Sequence, residues 1–251
     1  MNVPRLALVI SLLHCSWGFT ISSLTQTQTI KTEASQRRRW INDNVWLVEP
    51  SITRHNPFVA LVPAMGRGCD VSVTWSDPHE GALALAEKCF PFPNTSERRS
   101  DAVQLIEEAM EHFRRLIIVE EGVVNASFKA RIVASRGSSG IKCPRWHYDH
   151  VVLRHIQALV GPGCDYLVSD LGVNRSIVNQ ADESETKEVN AGIVDPLLAS
   201  VCHGREGEAV VLRGALGCSR PAIHKSPDLQ WWQGRVLMTF DIESSQFQDA
   251  R

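Results

Sequence analysis

Cys143-Pro144-Arg145-Trp146-His147-Tyr148-Asp149 is the stretch that decides the fold of this chain, and His224 and Arg235 are its distant counterparts. His147 and Asp149 stand two residues apart, so on an extended chain their side chains point to the same side. A third, distant ligand can then close one face of an octahedron around a metal ion. Two histidines and one carboxylate with open positions are typical of non-haem Fe(II) sites. The sequence therefore predicts that His147, Asp149 and His224 bind one metal ion.

The order of these residues along the chain is the second informative feature. A His-x-Asp pair, a distal histidine and an arginine eleven residues beyond it resemble the motif order of the Fe(II)/2-oxoglutarate-dependent oxygenases. The resemblance implies that Arg235 pairs with the far carboxylate of 2-oxoglutarate, because a guanidinium fork grips a carboxylate with two parallel hydrogen bonds. Arg154 is a second candidate for binding this cosubstrate. Alternatively, Arg235 balances the charge of Asp228 or Asp241 and binds no ligand.

Each proposed ligand also has an interpretation without a metal. His147 and Asp149 could form a buried hydrogen-bonded pair, and His224 could be a turn residue. Cys143 could add a thiolate to the site, although packing behind the site is the simpler interpretation. Two further histidines close to this stretch are interpreted as surface or core residues: His150 and His155.

The chain changes character near Phe128, from helical patterns to short strands. Asp77 as N-cap and Pro78 at the first helical position predict a helix over residues 78–88. An apolar stripe predicts a second helix over residues 100–118. Strands are predicted for five later segments: 128–134, 147–160, 166–168, 207–212 and 235–242.

Short strands separated by Gly and Pro turns predict an α+β fold, mainly β. We expect a double-stranded β-helix, or jelly roll, with flanking N-terminal helices. The acidic stretch 182–188 is expected to be a loop. In the last strand, alternation places four residues on one side: Arg235, Leu237, Thr239 and Asp241.

A second resemblance rests on three motifs: the stretch from Cys143 to His150, Gly161-Pro162-Gly163, and His224-Lys225-Ser226-Pro227. Over residues 45–242 the chain resembles the domain of unknown function family 1826. That family commonly has arginine at the position of Lys225 and threonine at the position of Cys164, and neither change affects a proposed ligand. Since the family has no settled activity, this resemblance implies only the boundaries of the domain. The resemblance to the Fe(II)/2-oxoglutarate-dependent oxygenases implies the chemistry of the site.

The first 39 residues have the composition of a targeting leader. Residues 1–18 resemble a signal peptide, with Arg5, an apolar run and small residues before Phe19. Residues 19–39 are rich in Ser, Thr and basic residues, as in a transit segment. Together they resemble the two-part leader of plastid proteins in algae with secondary plastids. The alternative is ordinary secretion followed by a disordered linker.

The remaining residues, 40–251, are expected to form one domain. Its N-terminal part, 40–127, is predicted to be helical, and its β core is predicted to span 128–243. The apolar run of the leader is too short to span a bilayer, which takes about 20 residues, so no stable membrane insertion is expected once the leader is removed.

Composition narrows the classes of partner. A net charge of −2 and a pI near 6.5 give no basic stripe of the kind that nucleic-acid binding requires, so no nucleic-acid partner is expected. The seven cysteines include no Cys-x-x-Cys pair, which argues against a structural zinc knuckle. The six that follow the leader are interpreted mostly as free thiols, and a disulfide among them is the alternative if the protein is secreted. Oligomeric state stays open.

These features favour an oxygenase with Fe(II) as metal and 2-oxoglutarate as cosubstrate, acting on an unknown small molecule or protein. A metal-binding jelly roll that holds zinc or iron without turnover is the first alternative. The second is a module that binds a carboxylated ligand in the same cleft without any metal.

Overall fold

The structure is a computed structural model that describes residues 38–48, 56–123, 126–180 and 186–242. All of these residues lie in one compact unit, Arg37–Arg251. The described part contains ten strands: β1 (Arg38–Asn42), β2 (Val45–Val48), β3 (Gly66–Trp75), β4 (Phe128–Arg136), β5 (Leu153–Val160), β6 (Asp165–Leu167), β7 (Val201–His203), β8 (Ala209–Arg213), β9 (His224–Lys225) and β10 (Gly234–Ile242). It contains three α-helices: α1 (Pro78–Cys89), α2 (Ser96–Glu121) and α3 (Thr186–Ile193).

The strands form two antiparallel sheets. The larger sheet has the order β1-β2-β8-β5-β10-β4-β3, and the smaller one has the order β7-β6-β9. His147 extends the smaller sheet through an isolated bridge to His224 in β9. The fold is therefore a mixed helix and antiparallel-sheet fold, mainly sheet, as the sequence predicted at this coarse level.

Strand β10 separates the hydrophobic core from a cavity. Its alternate residues Val236, Met238, Phe240 and Ile242 are buried in the core beneath the helices. The other set faces a cavity on the opposite side of the sheet: Arg235, Leu237, Thr239 and Asp241. The predicted alternation of side chains in this strand is confirmed. Because successive side chains point to opposite faces and the apolar set is buried in the core, the mostly polar set faces the cavity.

Helices α1 and α2 cover the core side of the larger sheet. Asp77 caps α1 by accepting a hydrogen bond from the Glu80 N–H at 3.0 Å, as the sequence predicted. Helix α2 is longer than the predicted 100–118: it begins at Ser96, after a 3-10 turn, and ends where Gly122 adopts a left-handed conformation (φ 68°). Phe113 of α2 packs against Phe128 and Phe240 of the sheet.

Two sequence expectations about secondary structure were wrong, and a third was incomplete. The N-terminal part carries helices α1 and α2, and it also contains the strands β1, β2 and β3, which belong to the larger sheet. The segment 147–160 forms a strand only from Leu153 onward. Helix α3 begins at Thr186, inside the stretch expected to be a loop, while residues 181–185 lie outside the described part.

The leader expected over residues 1–39 lies outside the described residues except for Arg38 and Arg39, which begin β1. Among the described helices, none combines the length and the apolar character needed to span a membrane. The six cysteines after the leader are free, as expected.

His155 is a core residue and gives the fold a testable pH dependence. It is 1% exposed and stacks on Phe240, with ring centroids 4.8 Å apart. Burial, together with the charge of His112, lowers the pKa of His155 to about 3. The unfolded chain takes up a proton here below about pH 6.5, whereas the folded chain does not. Stability contributed by neutral His155 is therefore lost as pH falls from 6.5 towards 3.

We expect His155 alone to lower the free energy of unfolding by about 2 kcal/mol between pH 7 and pH 5. Urea unfolding of the protein and of His155→Leu at both pH values measures the effect, since leucine fills the site without titrating. The variant should lose less stability than the natural sequence over this interval. Equal losses in the two proteins would contradict the role of His155.

Candidate metal centre

The two histidines of the proposed site are joined through their backbones. His147 N–H donates to the His224 carbonyl at 2.9 Å, and His224 N–H donates to the His147 carbonyl at 2.8 Å. This is the closely spaced hydrogen-bonded pair of antiparallel strands, in which directly opposite side chains are neighbours. The ring centroids lie 4.4 Å apart. Strand pairing thus brings together two histidines that are distant in sequence.

Asp149 completes a cluster of three metal-binding groups. Its Oδ2 lies 3.2 Å from His224 Nε2, and its Oδ1 lies 3.9 Å from His147 Nε2. One ligand atom from each residue can be chosen so that all lie within 4.8 Å of one another. Ligands bound at about 2.0–2.2 Å around one ion are separated by about 3–4 Å. The spacing fits an ion after small adjustments, and the residues converge as predicted.

The hydrogen bonds of the cluster leave its inward atoms free. His147 Nδ1–H donates to the Arg145 carbonyl at 2.8 Å, so Nε2 keeps its lone pair for a ligand-binding role. Asp149 Oδ2 is buried and has no hydrogen-bond partner in the described part of the chain, despite its contact with His224. A buried oxygen without a donor is costly. A cation between Asp149 Oδ2 and the two imidazoles would remove that cost.

Two asparagines hold the stretch that carries the ligands. The Asn190 side chain in α3 accepts from Trp146 N–H at 2.9 Å and donates to the Pro144 carbonyl at 3.0 Å. The Asn179 side chain accepts from Tyr148 N–H at 3.1 Å and donates to the Tyr148 carbonyl at 2.8 Å. The backbone on both sides of His147 is thereby fixed. Neither asparagine could be identified from the sequence, because no local pattern links them to this stretch.

The Asp149 carboxylate is held in its charged form. Burial disfavours the charge, but the contact with His224 and the positive charges nearby outweigh it and keep the pKa of Asp149 well below its usual range. The group is therefore ionised at neutral pH, as a metal-binding carboxylate must be.

Arg154 has a different environment from the one expected of a cosubstrate anchor. Its Nη1 lies 2.6 Å from Asp149 Oδ1, while Nε and Nη2 donate to the Asp241 carboxylate at 2.6 and 2.7 Å. Burial works against the guanidinium charge, but Asp241 and Asp149 raise the pKa of Arg154 above its usual value. All three nitrogens already contact carboxylates, so the charge of Arg154 is balanced within the protein. Its assignment to cosubstrate binding stays a prediction, and Arg235 has the more suitable environment for it.

A cavity of about 240 Å³ lies beside the cluster. The inward faces of β4, β5 and β10 form its floor, and His147 and His224 lie at its wall. It is smaller than the ~300–1,000 Å³ typical of drug-sized ligand sites, so it suits a small molecule. Six of its lining residues are basic: Lys129, Arg131, Lys142, Arg154, Lys225 and Arg235.

Arg235 lies in this cavity with part of its hydrogen-bonding capacity unused. Its side chain is 4% exposed; Nε donates to the Pro162 carbonyl at 3.0 Å, and Nη1 to Ser226 Oγ at 3.2 Å. Nη2 is buried and has no partner among the described residues. Burial lowers the pKa of Arg235 from its usual value. A buried guanidinium with a free nitrogen in a cavity is well suited to an anionic ligand.

The carboxylates proposed as alternative partners of Arg235 are engaged elsewhere. Asp241 pairs with Arg154, and the mostly exposed Asp228 lies 3.8 Å from Lys225 Nζ. Lys225 is itself buried and pairs with Asp165 at 3.0 Å. The interpretation of Arg235 as the balancing charge for Asp228 or Asp241 is therefore not supported.

The other candidates of the sequence analysis lie around the cluster. Cys143 is exposed, lines the cavity and has a positive φ of 57°. A hydrogen bond with His147 lowers the pKa of the Cys143 thiol. His150 is exposed and His155 lies in the core, so neither belongs to the cluster, as expected.

Several solved structures resemble this chain at low identity. The dioxygenase for auxin oxidation from rice is 13% identical, with 87% of this chain and 69% of that chain covered and a TM-score of 0.43. The 2-oxoglutarate complex of the corresponding Arabidopsis thaliana enzyme is 9% identical, with 88% and 79% covered and a TM-score of 0.39. JOX2 in complex with 2OG, Fe and JA is 10% identical, with 86% and 71% covered and a TM-score of 0.42.

No curated protein matches the chain in sequence. A family model does match it, over residues 130–241. This segment contains all three proposed ligands together with Arg154 and Arg235. The matching model is that of the family described as "Protein of unknown function (DUF1826)", which is the family that the motifs resemble.

Proposed function

We propose that this protein is an Fe(II)/2-oxoglutarate-dependent oxygenase with a double-stranded β-helix core. The observation that carries the proposal is the single cavity whose lining includes His147 and His224 of the metal-binding cluster together with Arg235. Arg235 is buried there without an ion-pair partner among the described residues. A metal-binding face and a separate carboxylate-binding group are the two features that this cosubstrate requires.

The strand order supports the double-stranded β-helix. Along the chain, β4, β5, β8 and β10 lie in the larger sheet. The bridge at His147, β6, β7 and β9 lie in or beside the smaller sheet. Through these eight segments the chain crosses repeatedly from one antiparallel sheet to the other, which is the arrangement of a jelly roll. The ligands then lie on the smaller sheet, and Arg235 lies at the start of the last strand.

The chain's own groups divide the work of binding. His147, Asp149 and His224 would hold the metal, and Arg235 would hold the 5-carboxylate of 2-oxoglutarate through Nη2. When bound, iron and 2-oxoglutarate supply the oxidising chemistry: O₂ and the cosubstrate give succinate and CO₂, and one oxygen atom passes to a substrate C–H bond. The cavity would fix the cosubstrate between the metal-binding cluster and Arg235.

Thermal unfolding tests this proposal and separates it from its alternatives. A ligand at 100 times its Kd stabilises a protein by about 2.7 kcal/mol. For a domain of this size that raises the melting temperature by roughly 5–11 °C. We expect Co(II), used as an air-stable probe, to raise it, and 2-oxoglutarate to raise it further only when Co(II) is present.

The other outcomes favour the alternatives. A rise with Zn(II) or Co(II), without any further rise on adding 2-oxoglutarate, would indicate a metal-binding protein without oxygenase turnover. A rise with 2-oxoglutarate in the presence of a chelator would indicate a metal-free carboxylate-binding module. No rise under any of these conditions would contradict the proposal.

A further inference from the structure

Arg154 connects the proposed ligand Asp149 to Asp241. Arg154 in β5 and Asp241 in β10 are directly opposite each other in the antiparallel register. Their side chains therefore lie side by side, and the guanidinium binds Asp241 with Nε and Nη2 at 2.6 and 2.7 Å. This two-bond pairing fixes the plane of the guanidinium. The remaining nitrogen, Nη1, then points to Asp149.

The two oxygens of Asp149 consequently differ. Oδ1 lies 2.6 Å from Arg154 Nη1, which is the distance of a charge-assisted hydrogen bond. Oδ2 has no hydrogen-bond partner in the described chain and lies 3.2 Å from His224 Nε2. Arg154 is mostly buried, and so are both carboxylates that it contacts. The arrangement therefore has little freedom to rotate and exchange the two oxygens.

We propose that Arg154, held by Asp241, is a positioning residue that restricts Asp149 to one metal-binding oxygen, Oδ2. The inference rests on the proposed function and assigns Arg154 a role other than cosubstrate binding. A carboxylate can bind a metal ion through one or both oxygens. If Asp149 binds through one oxygen, an octahedral ion that also binds two histidines keeps three open positions, and 2-oxoglutarate takes two of them. If Asp149 binds through both oxygens, 2-oxoglutarate takes the last two positions and none stays open.

Nitric oxide can test whether the metal ion keeps one open position when 2-oxoglutarate is bound. It is added, without air, to protein that has been loaded with Fe(II) and 2-oxoglutarate. The test variant is Arg154→Met/Asp241→Asn, because removing Arg154 alone would leave two buried carboxylates unpaired. We expect its Fe(II) affinity to be no weaker than that of the natural protein, since it loses a nearby positive charge. We also expect it to bind 2-oxoglutarate, but to bind nitric oxide on the order of 10- to 100-fold more weakly.

The matched control is Arg131→Met/Asp70→Asn. Arg131 lines the same cavity and pairs with Asp70 through two bonds, at 2.8 and 2.6 Å, but Asp70 is not one of the clustered metal-binding groups. This variant should bind Fe(II) like the natural protein and, once 2-oxoglutarate is saturating, nitric oxide like the natural protein. Arg154→Lys keeps a positive donor for Oδ1 and should retain most of the nitric oxide affinity, although it loses the fork that binds Asp241.

Several results would overturn the role of Arg154. One is unchanged nitric oxide affinity in Arg154→Met/Asp241→Asn. Another is a tenfold or greater loss of Fe(II) affinity in that variant, because Arg154 would then merely hold the ligands together. A third is an equal loss of nitric oxide affinity in the Arg131 control. The loss would then come from a general disturbance of the cavity and not from the contact between Arg154 and Asp149.

The test also separates this inference from the proposed function. If the natural protein binds no Fe(II) or no 2-oxoglutarate, the proposed function fails and the role of Arg154 fails with it. If the natural protein binds both together with nitric oxide, and the test variant does so equally well, only the role of Arg154 is overturned. Should the double variant not fold, Arg154→Gln/Asp241→Asn takes its place with the same expected losses, because its two replacement amides can hydrogen-bond to each other and residue 241 is left without a charge.

Discussion

Arg235→Ala is expected to weaken 2-oxoglutarate binding by roughly 30- to 1,000-fold while leaving metal affinity unchanged. Arg235 is buried, has one nitrogen without a partner among the described residues, and lies in the cavity beside the metal-binding cluster. Removing one partner of a charge-assisted pair in a partly buried cleft costs about 2–4 kcal/mol. At about 1.4 kcal/mol per factor of ten, this gives the expected loss. Calorimetric titration of 2-oxoglutarate into the Co(II)-loaded variant measures it.

Arg235→Lys is the conservative control for this prediction. It keeps the positive charge but loses the planar fork, so it should recover part of the affinity. The melting temperature measured in parallel separates binding from folding, because Arg235 also donates to the Pro162 carbonyl and to Ser226 Oγ. A lowered melting temperature with unchanged 2-oxoglutarate affinity would mean that Arg235 serves the fold alone.

His147→Ala is expected to reduce Co(II) affinity by at least 10- to 100-fold, the cost commonly seen when only a residue that supports a metal ligand is changed. His147 suits this test better than His224, because its side chain is 22% exposed whereas that of His224 is 5% exposed. Truncating the more exposed histidine disturbs packing less. Equilibrium titration with Co(II), followed by absorption, gives the affinity.

His150→Ala is the matched control, because His150 lies three residues further along the chain and is exposed outside the cluster. We expect its metal affinity to equal that of the natural protein. If both variants lose affinity to the same extent, or if neither does, His147 is not the ligand that the geometry indicates.

The sequence was most informative where the geometry is local. Alternation alone predicts that His147 and Asp149 point to the same side, and it assigned Arg235 and Asp241 to one face of the last strand. The structure places His147 and Asp149 in one cluster and Arg235 and Asp241 in one cavity. His224 could be proposed only from the motif order, since strand pairing brings it to His147.

The features that were missed depend on pairing between distant segments. Arg154 was assigned to the cosubstrate, because its pairing with Asp241 depends on the register of β5 against β10. Strand β3 was not predicted, although Cys69, Val71, Val73 and Trp75 alternate with polar residues along it, because glycines at its start are typical of turns. Helix α3 was missed because the acidic start of its segment is typical of loops.

The central claim is that one metal ion and 2-oxoglutarate bind together in the cavity beside His147, Asp149 and His224. Its most direct test is to load the protein with one equivalent of Fe(II) without air, add 2-oxoglutarate and record the visible absorption. We expect each chain to retain one ion and to give a metal-to-cosubstrate charge-transfer band that saturates with 2-oxoglutarate. Joint binding would be disproved by a chain that retains no Fe(II), or by one that retains it and gives no band at saturating 2-oxoglutarate.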